Sequence, residues 1–245
     1  MEYRFKKLFG IIFSNSQTIR WQTQGRILAN IWKNLPAQSA NCLDVGCGGG
    51  SYAIDNFLGK GQRTTLCDYS VELLALARQQ VESEKLSHLA EFARCSAESL
   101  PFNDNQFDRI QCMEVLEHVK NPGKALEEMA RVAKPSAYLV LSVPHPPEWF
   151  HNPDHMVEGF TADEIKGLVE NAGWRVVRTE YCMLILTRLV IVALHALKIP
   201  LPLNPLLWLE LLAPRALRRF LLPYDIMVVA ERCHGSVDNR SSAGK

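Results

Sequence analysis

The stretch Leu43–Gly50 reads LDVGCGGG and continues the short apolar run that begins at Asn41. Glycines at such a place let the backbone turn tightly and approach a ligand, and they aim the free N–H groups of a following helix at it. The spacing G-x-G-G-G differs from the G-x-G-x-x-G pattern and from the phosphate-binding P-loop. The stretch therefore predicts a ligand-binding turn between a strand and a helix.

Strand and helix patterns alternate outward from this turn. Seven runs have strand character: 41–45, 63–67, 90–95, 107–113, 137–143, 174–182 and 224–232. Between them, helices are indicated after the glycine turn and over 70–83, 121–132 and 161–173, the last with Thr161 and Glu164 as a capping box. Such alternation predicts an α/β fold with a mostly parallel, seven-stranded sheet and helices on both faces.

This pattern divides the chain into four parts. Residues 1–40 form an N-terminal helical region, and residues 41–182 with 224–233 form the α/β domain. Residues 183–223 are an apolar helical insert before the last strand, and residues 234–245 are a polar tail that we expect to be disordered.

Composition excludes several classes of function. Lys and Arg total 27 against 26 Asp and Glu, so no net field attracts a nucleic acid. The seven cysteines include no C-x-x-C pair, which argues against a disulfide framework or a zinc site with clustered cysteines. The start of the chain lacks the pattern of a secretory signal. We therefore expect a reducing, cytoplasmic location.

A second feature supports a nucleoside-containing ligand. Asp68 ends the strand that follows the glycine turn, 24 residues after Asp44. A carboxylate at that place can accept hydrogen bonds from both hydroxyls of a ribose. The alternative is a solvated turn or helix-capping residue.

Four pieces of sequence, in this order, resemble the class I S-adenosylmethionine-dependent methyltransferases of the type 11 superfamily. They are LDVGCGGG, LCDYS, SAESLPFNDNQFDRIQCMEVLEHV and ALEEMARVAKPSAYLVLSV. The resemblance implies a Rossmann-like fold and S-adenosylmethionine as the methyl donor. It also implies that Asp44, Gly46 and Gly48 hold the methionine end, that Asp68 holds the ribose, and that Ala97, Glu98 and Met113 border the adenine.

The run Cys112–Val119, CMEVLEHV, is most similar to the ubiquinone-biosynthesis O-methyltransferases. That resemblance implies a cofactor-binding arginine at Arg26 and a divalent cation, Mg²⁺, at Glu114, Glu117 and His118. An acceptor hydroxyl must be deprotonated, by a metal or by a base. His118 as a metal-free base, or the three residues as simple caps and packing, are the alternatives.

The loop after the fifth strand carries His145, His151 and His155, which are candidate bases or solvated side chains, and Trp149 and Phe150, which either wall an apolar acceptor or anchor the loop.

The apolar insert approaches membrane-spanning length, but Arg188, several prolines and the need to pair its flanking strands argue against spanning. We expect it to rest on a membrane surface, with Arg215, Arg218 and Arg219 facing anionic headgroups. The alternative is a soluble lid that packs on the domain and a partner subunit.

These observations predict a methyltransferase for a small, apolar or lipid-linked acceptor, most simply an O-methyltransferase that acts on a quinone-like precursor. One rival methylates a sugar or another metabolite. A rival of another class is a catalytically silent, membrane-associated scaffold.

Overall fold

The computed structural model describes residues 16–36, 41–147, 153–187, 189–190 and 212–233, with the backbone alone at 16–19 and 215. The strands are β1 Asn41–Val45, β2 Arg63–Asp68, β3 Ala90–Arg94, β4 Phe107–Met113, β5 Ala133–Pro144, β6 Trp174–Cys182 and β7 Asp225–Arg232. They form one sheet in the order β3-β2-β1-β4-β5-β7-β6, in which β7 alone runs antiparallel to its neighbours. The predicted seven-stranded, mostly parallel sheet is confirmed.

The described helices are α1 Ser16–Asn34, α2 Ser51–Asn56, α3 Val71–Ser83, α4 Pro122–Val132, α5 Ala162–Asn171 and α6 Arg215–Arg218. Their starts follow the capping chemistry of the sequence. At α5 the Thr161 hydroxyl accepts from the Glu164 N–H, and the Glu164 carboxylate accepts from the Thr161 N–H, which is the predicted capping box.

Both faces of the sheet are covered because successive side chains of a strand point to opposite sides. In β5, Leu139 and Leu141 belong to the buried cluster that includes α4 and α5. Val140 belongs to the opposite cluster, where Leu28 and Trp32 of α1 pack. The sheet is thus sandwiched, and the carboxyl ends of β1, β2 and β4 meet at one edge.

The apolar insert is described only at its two ends. Met183 and Leu184 are buried, whereas Leu212, Leu217 and Phe220 are exposed. Arg188 and residues 191–211, which include His195 and Lys198, lie outside the described residues, as does the predicted tail 234–245. Within the described ranges, no helix has both the length and the apolar character that a bilayer crossing requires.

Arg218 corrects one expectation for the insert. Its side chain is only 11% exposed, and a guanidinium nitrogen lies 4.0 Å from the Glu180 carboxylate of β6. Its Nε donates to the Ala213 carbonyl at 3.0 Å. Arg218 is therefore directed into the fold by a buried carboxylate and does not face outward.

Candidate functional site

The glycine turn between β1 and α2 forms the floor of the site. Gly46 has φ of +66° and Gly48 has φ of +52°, a region that side chains with a Cβ rarely adopt. A Cβ on Gly46 would stand 2.3 Å from a methyl carbon of Val115, so the chain after β4 approaches the turn too closely for any side chain. The turn is fixed by a hydrogen bond from the Cys47 N–H to the Cys67 carbonyl at 2.9 Å.

Asp68 lies at the rim, at the end of β2. One carboxylate oxygen accepts from the Gly48 N–H at 2.8 Å and the other accepts from the Ser70 N–H at 2.9 Å. The carboxylate is therefore held in place by backbone groups on both sides, and it borders the cavity. Each oxygen has a further lone pair, so the group can accept additional hydrogen bonds.

Asp44 lies behind the turn and does not line the cavity. Its side chain is 1% exposed, and its Oδ2 has no hydrogen-bond partner among the described residues. Burial, and next the charge of Asp68, raise the pKa of Asp44 to about 7. The position thus holds a carboxylate that favours an approaching positive charge.

A cavity of about 900 Å³ opens above the turn, at the carboxyl edge of the sheet. Six residues predicted to contact a cofactor line it: Gly46, Gly48, Asp68, Ala97, Glu98 and Met113. Three cysteines, Cys47, Cys67 and Cys95, also line it, and none of the seven cysteines forms a disulfide.

Arg26 is placed differently from the expectation. It is exposed on α1 and is not among the residues that line the cavity, whereas Arg20 is. Six residues on a helix of 3.6 residues per turn rotate a side chain by about 240°, so the two arginines lie on different faces. The arginine that α1 presents to the cavity is Arg20, which the sequence did not single out.

Arg20 belongs to a polar network that joins α1 to the ends of β4 and β7. Its guanidinium donates to the Glu114 carboxylate at 2.6 Å and lies 3.7 Å from that of Asp225. The Gln24 amide donates to the same two carboxylates at 2.9 and 2.8 Å. The Ser142 hydroxyl adds a hydrogen bond to Glu114 at 2.7 Å. The network therefore provides the hydrogen-bond partners of the Glu114 carboxylate. The backbone of Glu114 bends the chain, with a φ of +56°.

Glu117 and His118 lie in the turn Leu116–His118. They are not part of the polar network that holds the Glu114 carboxylate. His118 lines the cavity, whereas Glu117 is buried behind it. Among the described residues, potential ligand atoms of Glu117, His118 and His155 lie within 4.8 Å of one another, and Glu114 is not in that group. Burial, and next the charge of Glu114, raise the pKa of Glu117 well above its usual range.

The other candidates of the loop after β5 contribute less to this site. His145 does not line the cavity, and its ring centroid lies 6.4 Å from that of Tyr181. Trp149, Phe150 and His151 lie outside the described residues. Met156, one residue after His155, lines the cavity and is 62% exposed.

A family model described as "Methyltransferase domain", of type 11, matches residues 43–141. The chain is 34% identical over 101 residues to a ubiquinone biosynthesis O-methyltransferase of Alkalilimnicola ehrlichii, a match that covers 41% of this chain and 40% of that protein. It is 31% identical over 113 residues to the norajmaline N-methyltransferase of Rauvolfia serpentina, covering 46% and 39%. The match thus spans about two fifths of the length of these curated relatives.

A solved S-adenosylmethionine-dependent methyltransferase from Aquifex aeolicus superposes with a TM-score of 0.59 at 21% identity, covering 89% of this chain and 99% of that one. At this identity the likeness shows the fold. The glycine turn, the carboxylate at the end of β2 and the bordering residues 97 and 98 all lie inside the matched range. Residues 43–141 therefore match a type 11 methyltransferase domain, and the chain has the fold of the solved S-adenosylmethionine-dependent methyltransferase.

Proposed function

We propose that this protein transfers the methyl group of S-adenosylmethionine to a hydroxyl of a small, apolar acceptor. The observation that supports this most is the position of Asp68, Gly48 and Glu98 around one cavity of about 900 Å³, within a domain of the methyltransferase family. Methyl transfer from a sulfonium is an in-line displacement, so the protein mainly has to align donor and acceptor and exclude water.

The cofactor end of the cavity fits the donor in charge and shape. Asp68 is held by Gly48 and Ser70 with lone pairs left for the ribose hydroxyls. The buried Asp44 favours the cationic methionine end. Ala97, Glu98 and Met113 offer a largely apolar border for the adenine.

The acceptor end combines apolar surface with one imidazole. Val119 and Met156 line the cavity close to His118, because Val119 follows it in the chain and the Met156 N–H donates to the Glu117 carbonyl. His118 supplies the deprotonation of the acceptor in one of two ways, as a base or as the ligand of an ion that lowers the pKa of the hydroxyl. The relatives act on different atoms and acceptors, as their names state, so oxygen as the methylated atom is part of the proposal.

The resemblance to the quinone-pathway enzymes also implies Mg²⁺ at Glu114, Glu117 and His118. These residues do not fit such an ion as a set, because Arg20, Gln24 and Ser142 already occupy the Glu114 carboxylate. No step of the proposed transfer is therefore assigned to Mg²⁺.

We further propose that the end of the insert rests on a membrane surface and gives apolar acceptors access to the site. Leu212, Leu217, Phe220 and Leu222 expose between 52% and 78% of their surface within a short stretch. The Arg219 guanidinium lies over the Phe220 ring, 4.5 Å from its centroid, which places a cation beside the apolar group. That combination suits an interface with anionic lipid.

Two measurements test the methyl transfer. Isothermal titration with S-adenosylmethionine should give one site per chain, and a silent scaffold that binds no cofactor would give none. Lipid and metabolite profiles of a strain that lacks the gene should contain an acceptor lighter by one methyl group. The purified protein should then methylate that acceptor in the presence of the donor; if it binds the donor but leaves every extracted species unchanged, the proposed transfer is wrong.

A further inference from the structure

Glu117 is a buried carboxylate that the fold itself does not satisfy. The residue is 0% exposed, and neither of its carboxylate oxygens has a hydrogen-bond partner in the part of the chain that the structure describes. Buried charges in proteins are paired or coordinate metals, because the loss of hydration is otherwise uncompensated. A positive group beside this side chain would therefore allow it to ionise within the fold.

His118 directs a lone pair toward it. The His118 Nδ1 lies 2.9 Å from the Asp154 carbonyl oxygen, which only accepts, so Nδ1 donates and the neutral imidazole has its lone pair on Nε2. Nε2 lies 3.9 Å from a carboxylate oxygen of Glu117, which is longer than a hydrogen bond. A buried carboxylate oxygen of Glu117 thus faces the Nε2 atom of the more exposed His118 across a gap.

His155 is the third residue beside the gap between Glu117 and His118. Its ring meets that of His118 edge to face, with centroids 4.7 Å apart and an interplanar angle of 79°. The loop that carries it is tied to the turn, because the Met156 N–H donates to the Glu117 carbonyl at 2.7 Å. One ligand atom from each of the three residues lies within 4.8 Å of the others.

We infer that Glu117, His118 and His155 form a site for a transition-metal ion of the Zn²⁺ class, and that Glu114 is not a ligand. Two imidazoles and one carboxylate suit Zn²⁺ or Mn²⁺, whereas Mg²⁺ prefers oxygen ligands alone. Three protein ligands leave a fourth position open, as in catalytic zinc sites. Bonds of about 2.0–2.2 Å would place tetrahedral ligands roughly 3.3 Å apart, so the 3.9 Å gap needs a small contraction.

This site bears on the acceptor side of the proposed methyl transfer, but it is measured without donor or acceptor. The full chain, stripped with a chelator, is dialysed against Zn²⁺, Co²⁺ or Mg²⁺, and bound metal is counted. Co²⁺ adds a visible absorption band whose intensity reports four-coordinate geometry. We expect one Zn²⁺ or Co²⁺ per chain and at least hundredfold weaker binding of Mg²⁺.

Four variants locate the ligands. His155→Ala and Glu117→Gln should each weaken Zn²⁺ binding at least tenfold and remove the Co²⁺ band. His145→Ala, a histidine in the same loop outside the group, and Glu114→Gln should leave metal binding unchanged. Because Glu117 is buried, thermal unfolding must first show that its variant folds; His155→Ala, at a half-buried position, carries the test if it does not.

Three results would overturn the inference. The first is a chain that binds no metal, which would leave a shared proton between Glu117 and His118. The second is equal loss in His145→Ala, which indicates adventitious binding. The third is a Mg²⁺ preference that depends on Glu114. None of these outcomes affects the titration with S-adenosylmethionine, so the methyl transfer stands or falls separately.

Discussion

Asp68 shows how one side chain can serve both the loop and a ligand. It closes the glycine turn through the Gly48 N–H and begins the next helix through the Ser70 N–H, so its orientation is fixed before any ligand arrives. A ligand that uses the remaining lone pairs does not have to pay for ordering this group.

Replacing Asp68 by Ala should weaken binding of S-adenosylmethionine by about 2–3 kcal/mol, roughly 30- to 150-fold, because a pair of charge-assisted hydrogen bonds is lost. Titration calorimetry measures the change. Glu91→Ala removes an exposed carboxylate from the neighbouring strand β3 and serves as the control. Unchanged affinity in the Asp68 variant would exclude the ribose contact.

Asp44 makes a different prediction, about pH. The pKa of the folded protein's Asp44 is about 7 against an ordinary 3.8, so the folded state holds a proton that the unfolded chain has already lost. The free energy of unfolding should therefore decrease as pH rises between these values and level off above about 7.

Binding of the cationic donor should follow the opposite trend, because it favours ionised Asp44. Affinity for S-adenosylmethionine should rise as pH increases from 6 to 8 in the native chain and stay flat in Asp44→Asn. Parallel pH profiles of the two proteins would show that Asp44 does not interact with the donor.

At the scale of elements, helix α1 is held to the sheet by charge as well as by packing. Arg20 stands between the carboxylates of Glu114 and Asp225, of which Asp225 is fully buried. Removal of the guanidinium would leave these two carboxylates without their shared cation. The loss destabilises the fold because a buried charge would remain uncompensated.

Arg20→Met should destabilise the fold by about 3 kcal/mol, at the lower end of the range for breaking a buried ion pair, because Arg20 is a quarter exposed. Arg26→Met, on the exposed side of the same helix, should change stability by less than about 0.5 kcal/mol. Urea unfolding compares the two. The double variant Arg20→Met, Glu114→Gln should recover part of the loss; if it does not, the ion pair is not the cause.

The elements were more predictable than the site. The bounds of β1, β4 and β6 match the apolar runs of the sequence, because strand propensity and burial act locally. Which arginine of α1 faces the cavity depends on the rotation of the helix, and the sequence pointed to Arg26 instead of Arg20. The partners of Glu114 on α1 lie about 90 residues earlier in the chain, and His155 meets Glu117 only through the fold. Such contacts leave no periodic signal.

At the scale of the whole molecule, the exposed apolar groups near α6 lie beside β6, the edge strand of the sheet. Burial of one large apolar side chain such as Phe220 in a membrane interface contributes about 1.5–3 kcal/mol, and an adjacent arginine about 1 kcal/mol on anionic lipid. Several such groups together favour reversible attachment.

The protein should therefore sediment with vesicles that contain phosphatidylglycerol, and less so with neutral vesicles or at high salt. The pair Arg219→Gln, Phe220→Ser should release it. Arg63→Gln, an exposed arginine that begins β2 on the far side of the sheet from β6, is the matched control. If the native chain remains in the supernatant with every vesicle, the surface is a lid or a contact with another protein.

The antiparallel pairing of β6 and β7 continues past the strands themselves. The Tyr224 N–H donates to the Met183 carbonyl at 2.8 Å, and the Ile185 N–H donates to the Leu221 carbonyl at 2.9 Å. These bonds join the described segments at the two ends of the insert, next to the β6–β7 pair. Because these bonds lie outside 191–211, a change in the length of that stretch should leave the register of β6 and β7, and the Arg218–Glu180 contact, unchanged.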